Sequence, residues 1–408
     1  MRVSFLKENF DNNCARFIFS FVLDSDDKRK ANSFNAGNGE IILGADTCSF
    51  DFPFDVAIPH PDLVCMAALK IVSPYIGSTL IMDRPISRYF AEMAKTIYPN
   101  IKYINTCNIS PRQVSGERYS ISFSGGADSL AAANLSPDGT ILILSARKQH
   151  PLIGKFESWY STEANQATLA NMPQKFVKIC VRSDFEYLST NGKWCIYPDR
   201  YAFTIPSILL ADHFNLTGIL VGDVYAAFSA DETKEYSLRN FEKMRDYYKS
   251  VNLVLDSPVK GVTEIGSEII NRAFNNGDIA TTCQYGSFKK PCMRCIKCFR
   301  KSLIKAYLDG KNLSDSVLNN FEKSRAVQNF ADKISDAPMK FQYTFHEVLK
   351  SYNLSKFSHI QKIKNKADAI DKDSSFITNI YLPGYQESYL PKTMQYSLQK
   401  LLKLFNHH

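Results

Sequence analysis

The chain contains no apolar run long enough to cross a membrane. The nearest approach, Leu63 to Val72, is too short and carries Lys70. Met1 to Asn13 lacks the apolar centre of a secretory signal, so the expected location is cytoplasmic, away from membranes. A Walker loop, Gly-x-x-x-x-Gly-Lys-Ser/Thr, is absent. The dinucleotide fingerprint is excluded as well, because its third glycine is missing. No internal repeat is visible. Six of the 10 cysteines (Cys14, Cys48, Cys65, Cys107, Cys180 and Cys195) are scattered, mostly inside apolar runs, and read as reduced core residues rather than a disulfide framework.

What is present begins with Ser124-Gly125-Gly126-Ala127-Asp128-Ser129. An apolar strand, Tyr119 to Phe123, stops at this segment, and a helix over Asp128 to Leu135 starts from it. Such a turn gathers free backbone N–H groups and the positive end of a helix dipole at one point, which suits phosphate or pyrophosphate. Gly125 and Gly126 let the backbone approach an anion with no Cβ in the way. Ser124 and Ser129 add hydroxyls, and Ser122 on the strand is counted with them. Asp128 cannot attract phosphate directly; it fits as a holder of Mg²⁺ bridging phosphate oxygens. The bland alternative is an ordinary glycine turn.

A second pattern joins Cys283, Cys292, Cys295 and Cys298, with eight, two and two residues between them. Four thiolates satisfy tetrahedral Zn²⁺ with no open position, which makes the site structural. A [4Fe–4S] cluster is the rival ligand, since Cys-x-x-Cys-x-x-Cys also suits iron–sulfur chemistry. Disulfides are the third alternative. A helix over Phe299 to Leu308 follows the last cysteine.

The length, 408 residues, and a hydrophobic content of 45% allow two or three domains with sizeable cores. Residues 1–115 read as an N-terminal α/β or α+β unit with strands at Ala15–Leu23, Glu40–Leu43, Leu80–Met82 and Ile101–Ile104, and helices at Pro61–Tyr75 and Ile86–Tyr98. It carries no catalytic motif, and its expected task is to cover the nucleotide domain or receive a partner. Residues 116–280 alternate strands (Tyr119–Phe123, Ile141–Leu144, Phe176–Val181, Gly218–Val221, Leu253–Leu255) with helices, the clearest at Tyr201–Phe214 and Ser237–Lys249. Alternation of this kind predicts an α/β fold with a parallel sheet, its ligand beyond the carboxyl ends of the strands. Residues 281–311 form the four-cysteine zinc module. Residues 312–408 look mainly helical, with a break at Tyr381 to Tyr385.

Charge is unevenly placed. Residues 1–280 hold 28 Lys+Arg against 31 Asp+Glu, and residues 281–408 hold 21 against 10. The basic excess therefore belongs to the last third. Lys289, Lys290, Arg294, Lys297, Arg300 and Lys301 cluster around the four-cysteine motif. Contact with nucleic acid or an acidic partner is one reading, and a solvated basic face the other.

Ser-Gly-Gly-x-Asp-Ser resembles the pyrophosphate loop of the N-type ATP pyrophosphatases, the PP-loop superfamily with an adenine nucleotide alpha hydrolase-like fold. With the four cysteines in this order, the chain resembles the QueC family, the 7-cyano-7-deazaguanine synthases, over roughly residues 117–310. The resemblance implies ATP, Mg²⁺ and Zn²⁺ as cofactors. It implies an ATP-dependent ligase that adenylates the carboxylate of 7-carboxy-7-deazaguanine, releases pyrophosphate and passes the acyl group to an amine. It places adenine beside Ser145-Ala146-Arg147, although Arg147 also reads as a surface cation. Arg200 resembles an Arg of the family's Gly-Arg-Asn segment that would stabilise charge on the α-phosphate; a surface Arg at a helix start is the alternative. Gly222 and Asp223 end the fourth strand, Asp223 reading as a substrate or Mg²⁺ contact or as a helix cap. The catalytic candidates are Asp128, Ser129, Arg200 and Lys260. One position departs from the family pattern: six residues after Pro258, where a Lys is expected, stands Glu264, and Lys260 is the nearest substitute. QueC-like chains with added flanks occur in bacterial anti-phage systems of the type IV CBASS and Qat kinds, where the implied acceptor is the N-terminal amine of a partner protein. The alternatives are the housekeeping nitrile synthase, a tRNA-modifying enzyme using the basic C-terminal region, and a non-catalytic nucleotide-binding scaffold.

Overall fold

The computed structural model describes residues 1–11, 13–32, 40–153, 161–191, 195–228, 238–281, 283, 285–334, 341–369, 399 and 403. The expected break at Tyr381 to Tyr385 lies outside the described residues. Among the described residues, seven strands precede residue 115: β1 (Arg2–Asp11), β2 (Cys14–Val22), β3 (Lys30–Asn32), β4 (Glu40–Leu43), β5 (Thr47–Asp51), β6 (Thr79–Ser87) and β7 (Lys102–Cys107). Six follow: β8 (Tyr119–Ser122), β9 (Ile141–Arg147), β10 (Val177–Ser183), β11 (Ser189–Thr190), β12 (Gly218–Leu220) and β13 (Val254–Asp256).

Ten of these strands build one mixed sheet in the order β13-β12-β8-β9-β10-β5-β2-β1-β6-β7. The first five are mutually parallel, as the alternation of strands and helices predicts. The central strand β8 lies between β9 and β12, so the chain leaves β8 toward one side and later returns on the other. Loops after β8 and β12 diverge there and open a crevice at the carboxyl ends, where α/β sheets place ligands.

The expected division near residue 115 does not interrupt the sheet. Antiparallel β5 pairs with β10, through Arg182 with Asp51 and Ser183 with Phe50, and carries the sheet on into β2, β1, β6 and β7. Lys148 reinforces the seam by pairing with Asp51 at 2.7 Å. The alternating burial of β2 explains the join: Ala15, Phe17, Phe19 and Phe21 face inward. Phe5 stacks edge-on to both Phe17 and Phe19, with ring centroids 5.1 Å apart. One apolar core runs from this cluster to Ile205, Leu209 and Phe241 of the later chain. Arg112 secures the connecting segment. Its guanidinium is buried and donates to the carbonyls of Ala211, Leu216 and Asn252 at 2.8, 2.8 and 3.1 Å.

Successive residues of β9 point to opposite faces, Ile141 and Ile143 into that first core, Leu142 and Leu144 into a second. The second core holds helices Ala127–Asn134 and Glu264–Ala273, the helix Ile296–Leu308 that follows Cys295, and four further helices through Ser358–Asp368. The described part of the C-terminal region thus packs on the four-cysteine module. Phe299, Leu303 and Ile304 meet Phe321, Phe345 and Val348 inside it.

The expected helix over Tyr201–Phe214 is shorter. Tyr201 adopts a left-handed conformation (φ 63°), a 3-10 turn spans Ala202–Thr204, and the helix proper covers only Ile205–Leu209. No helix among the described residues is long and apolar enough to cross a membrane.

Candidate functional site

The crevice is a cavity of about 370 Å³. Its floor is the Ser124–Ser129 loop. Gly125 takes φ +74°, a conformation that side-chain-bearing residues rarely adopt, and this turns the chain from β8 into helix Ala127–Asn134. The two serines interlock: their hydroxyls lie 3.1 Å apart, the Ser124 amide donates to Ser129 Oγ at 3.3 Å, and Ser129 Oγ donates to the Gly126 carbonyl at 3.0 Å. From the other side, the Thr281 amide donates to the Gly125 carbonyl at 2.7 Å. The loop is therefore pinned by the segment that leads to Cys283.

Gly222, two residues beyond the end of β12, lies against the loop. A Cβ there would lie 2.6 Å from the Ser129 nitrogen and 2.7 Å from its Cα, so only glycine lets the strand end meet the helix start. Asp223 follows on the cavity wall. Ser122, Ser145 and Arg147 line it too, and the Arg147 Nε donates to Glu186 Oε2. Glu186 also accepts from the Tyr197 hydroxyl at 3.0 Å. Burial works against the charge on Arg147, but Glu186 outweighs it and the guanidinium pKa is raised.

Asp128 opens toward this space, yet its Oδ1 is shut off from solvent and has no hydrogen-bond partner. Burial is the main cause that raises its pKa; Glu264 adds to the rise, while Lys301, a hydrogen bond from the Ser267 side chain and Arg300 oppose it. An orphaned carboxylate oxygen beside a hydroxyl-lined loop fits a hard divalent cation, which takes oxygen ligands. Asp128 and Ser129 are the residues that could hold such a cation. Asn165 Oδ1, equally buried and unpartnered, faces the same cavity.

Three cations approach from above. Helix Ile296–Leu308 brings Lys297, Arg300 and Lys301 to the cavity, at the spacing that puts residues on one helix face. Of the basic stretch around the four cysteines, these three members line the cavity, Arg300 buried and Lys297 and Lys301 half-buried. Glu264, the departure from the family pattern, also lines the cavity and accepts from Arg300 Nη2 at 2.8 Å. Arg300 is further clamped by Phe341, whose ring centre lies 3.8 Å from the guanidinium carbon. Lys301 pairs with Glu268 at 2.9 Å. Burial opposes its charge, but Glu268, Asp128 and Glu264 together raise its pKa. The sequence named Lys297, Arg300 and Lys301 only as part of a basic cluster, not as members of this cavity, and did not single out Glu186 or Asn165. Only the i, i+3, i+4 spacing after Cys295 signalled the first three.

Two sequence candidates are elsewhere. Lys260 is buried behind β13, 3.3 Å from Asp256, with its ammonium over the Phe241 ring. Arg200 is buried behind the cavity wall and donates to the Tyr201 hydroxyl at 2.9 Å. Neither lines the cavity.

The four cysteines come together. Their sulfurs all lie within 4.8 Å of one another, Cys292 and Cys298 at 3.8 Å. A tetrahedral ion with Zn–S bonds of about 2.3 Å sets sulfurs roughly 3.8 Å apart. A cubane would place four irons between them and spread them further. Gly286 is forced by the same crowding, since a Cβ would lie 2.4 Å from the Lys290 carbonyl oxygen. Backbone amides of Cys292 and Cys298 donate to Cys283 and Cys295 sulfurs at 3.1 and 3.4 Å. With no cation, hydrogen bonding to Cys295 and burial push the Cys298 thiol up, and burial raises Cys292. A divalent ion reverses that balance by binding thiolates. The cluster could thus hold a metal such as zinc. Cys295 caps helix Ile296–Leu308, so the metal site directly orients the cavity-facing cations.

Residues 243–406 match the model of a family of unknown function, DUF6395, which takes in the four-cysteine module and the C-terminal helices. No curated protein is significantly similar to the chain.

Proposed function

We propose that the cavity binds ATP with Mg²⁺ and that the protein is an ATP-dependent ligase of the pyrophosphatase type. The observation that carries this reading is the pairing of the Ser124–Ser129 loop with the Lys297, Arg300 and Lys301 face across one cavity, with the orphaned Asp128 oxygen between them. Loop amides at a helix N-terminus favour an anion, and the cationic helix face, although Arg300 and Lys301 also meet Glu264 and Glu268, offers a polyphosphate further donors. The acceptor, taken from the resemblance to QueC-like chains, is the carboxylate of 7-carboxy-7-deazaguanine. A carboxylate oxygen attacks the α-phosphorus, and the bond from that phosphorus to the bridging oxygen breaks. Pyrophosphate leaves and an acyl-adenylate remains. An amine then attacks the acyl carbon, loses its proton and displaces AMP to form an amide. In the leading version the amine is a partner protein's N-terminus, in an anti-phage setting.

Glu264 is neutralised by Arg300, which leaves Lys297 and the Glu268-paired Lys301 as the further cations on the same face. The test is ATP turnover with and without 7-carboxy-7-deazaguanine, resolving AMP, ADP and pyrophosphate, beside Asp128→Ala. AMP and pyrophosphate that depend on the deazaguanine and vanish in the variant are expected. A partner with a free N-terminal amine then gains the mass of an acyl deazaguanine. ADP as product, or free nitrile with every partner present, overturns the corresponding step.

A further inference from the structure

Behind the cavity wall runs a buried chain of charges that begins in the N-terminal part of the molecule. Lys70, on helix Pro61–Val72, has its ammonium sealed in the core. It donates to Asp199 Oδ1 and to the Arg200 carbonyl, both at 3.0 Å. Asp199 Oδ2 accepts from the Tyr98 hydroxyl at 2.8 Å. Arg200 donates to the Tyr201 hydroxyl at 2.9 Å, and that hydroxyl lies within reach of the Asp223 carboxylate on the cavity wall. Lys70, Asp199, Arg200 and Tyr201 are each at most 3% exposed.

Two features set this chain apart from ordinary packing. Burying two cations and a carboxylate in one place is costly, and apolar residues of similar volume would serve stability at least as well. Tyr201 is also a bulky residue held at φ 63°, a strained conformation that persists only where its surroundings fix it. Those fixings are visible: Lys70 holds the preceding carbonyl, and Thr204 Oγ1 donates to the Tyr201 carbonyl at 2.6 Å while its oxygen also meets the Tyr248 hydroxyl at 2.6 Å. Strain of this kind aims a side chain, and here it aims the Tyr201 hydroxyl at Asp223.

We infer that Lys70, Asp199, Arg200 and Tyr201 form a positioning relay that fixes Asp223 on the cavity wall. The N-terminal region is then a working part of the site instead of a cover for it. This inference uses the ATP reading only for the probe ligand.

The test is a double-mutant cycle between Lys70→Met and Asp223→Asn, read in two ways. One is the Kd of MgATP; the other is amide hydrogen exchange at Gly222 and Asp223 without ligand. Residues so far apart, with no shared direct contact, act additively unless something couples them. The relay predicts that Lys70→Met weakens MgATP binding about tenfold in the parent and has little further effect once Asp223 is Asn. It also predicts faster exchange at 222–223 while the β9 amides stay protected. Additive effects with unchanged exchange at 222–223 overturn the relay. If Lys70→Met does not fold, Tyr201→Phe, which removes a single hydroxyl, replaces it in the same cycle with the same criteria. Should the parent fail to bind MgATP, the ATP reading falls and the exchange measurement alone decides the relay.

Discussion

Asp128→Asn is expected to make the ligand-free protein more stable while sharply lowering its ATP turnover. The parent keeps a carboxylate oxygen out of solvent with no hydrogen-bond partner, and burial raises the pKa of the group. An unsatisfied buried polar group costs about 1–3 kcal/mol, and removing its charge recovers part of that. The sign with pH follows from linkage. A carboxyl whose folded pKa is raised favours folding when protonated, so its stabilising contribution is full below the ordinary carboxylate range and is lost as pH rises through the raised value. The Asn variant should therefore match the parent in acid and exceed it near neutrality. Denaturant unfolding at the two pH values, without divalent cations, checks this. Saturating MgATP should invert the order, since a ligand at a hundred times its Kd adds about 2.7 kcal/mol to the form that binds it. Turnover should drop roughly a hundredfold or more in the variant. A parent more stable than the variant at both pH values would place the Asp128 carboxylate in a satisfied structural role.

Stripping the metal from the four cysteines, or replacing Cys295 by Ser, is expected to remove nucleotide binding and to loosen everything packed on helix Ile296–Leu308. Cys295 both joins the cluster and caps this helix, which carries Lys297, Arg300 and Lys301 to the cavity. The loop is reached by the same route, because Thr281, two residues before Cys283, holds the Gly125 carbonyl. Phe299, Leu303 and Ile304 on the helix are the contact surface for the C-terminal helices. Metal-binding energy is folding energy where no site exists in the unfolded chain, and the loss should be on the order of several kcal/mol. Chelation should lower the thermal midpoint, expose residues 281–369 to exchange or proteolysis, and leave β1, β2 and β5 protected. Metal analysis should return one zinc per chain. Stoichiometric iron with broad visible absorbance, or unchanged MgATP affinity after the metal is gone, contradicts the account.

Features carried by local spacing were legible in the sequence. The glycine loop is a contiguous hexapeptide whose strand-to-helix setting follows from apolar patterning on either side, and the four cysteines needed only their intervals. The five parallel strands were readable for the same reason, three of them from their first residue and none with an end shifted by more than three residues. Long-range pairing was not. β5 joins β10 across more than a hundred residues, and no short-range signal in Thr47–Asp51 says which strand it will meet. Side-chain direction was hidden as well. Arg200 lies next to the cavity in sequence, but the left-handed turn at Tyr201 sends it inward. Lys260 is drawn to Asp256, four residues earlier, behind the sheet. Conversely, Lys297, Arg300 and Lys301 read equally as a polyanion contact or as surface charge, because nothing local reveals which face of their helix a distant loop will cover. Glu264 looked like a lost catalytic cation, and became intelligible only with Arg300 beside it.

The most direct measurement of the central claim is exchange of labelled pyrophosphate into ATP. If the loop holds the leaving pyrophosphate while a carboxylate attacks the α-phosphorus, the step is reversible at the site. Label should then enter ATP when 7-carboxy-7-deazaguanine and Mg²⁺ are present, and not when Asp128 is Asn. ATP that binds the protein without any exchange, or label that enters it independently of every carboxylate offered, would contradict adenylation in this cavity.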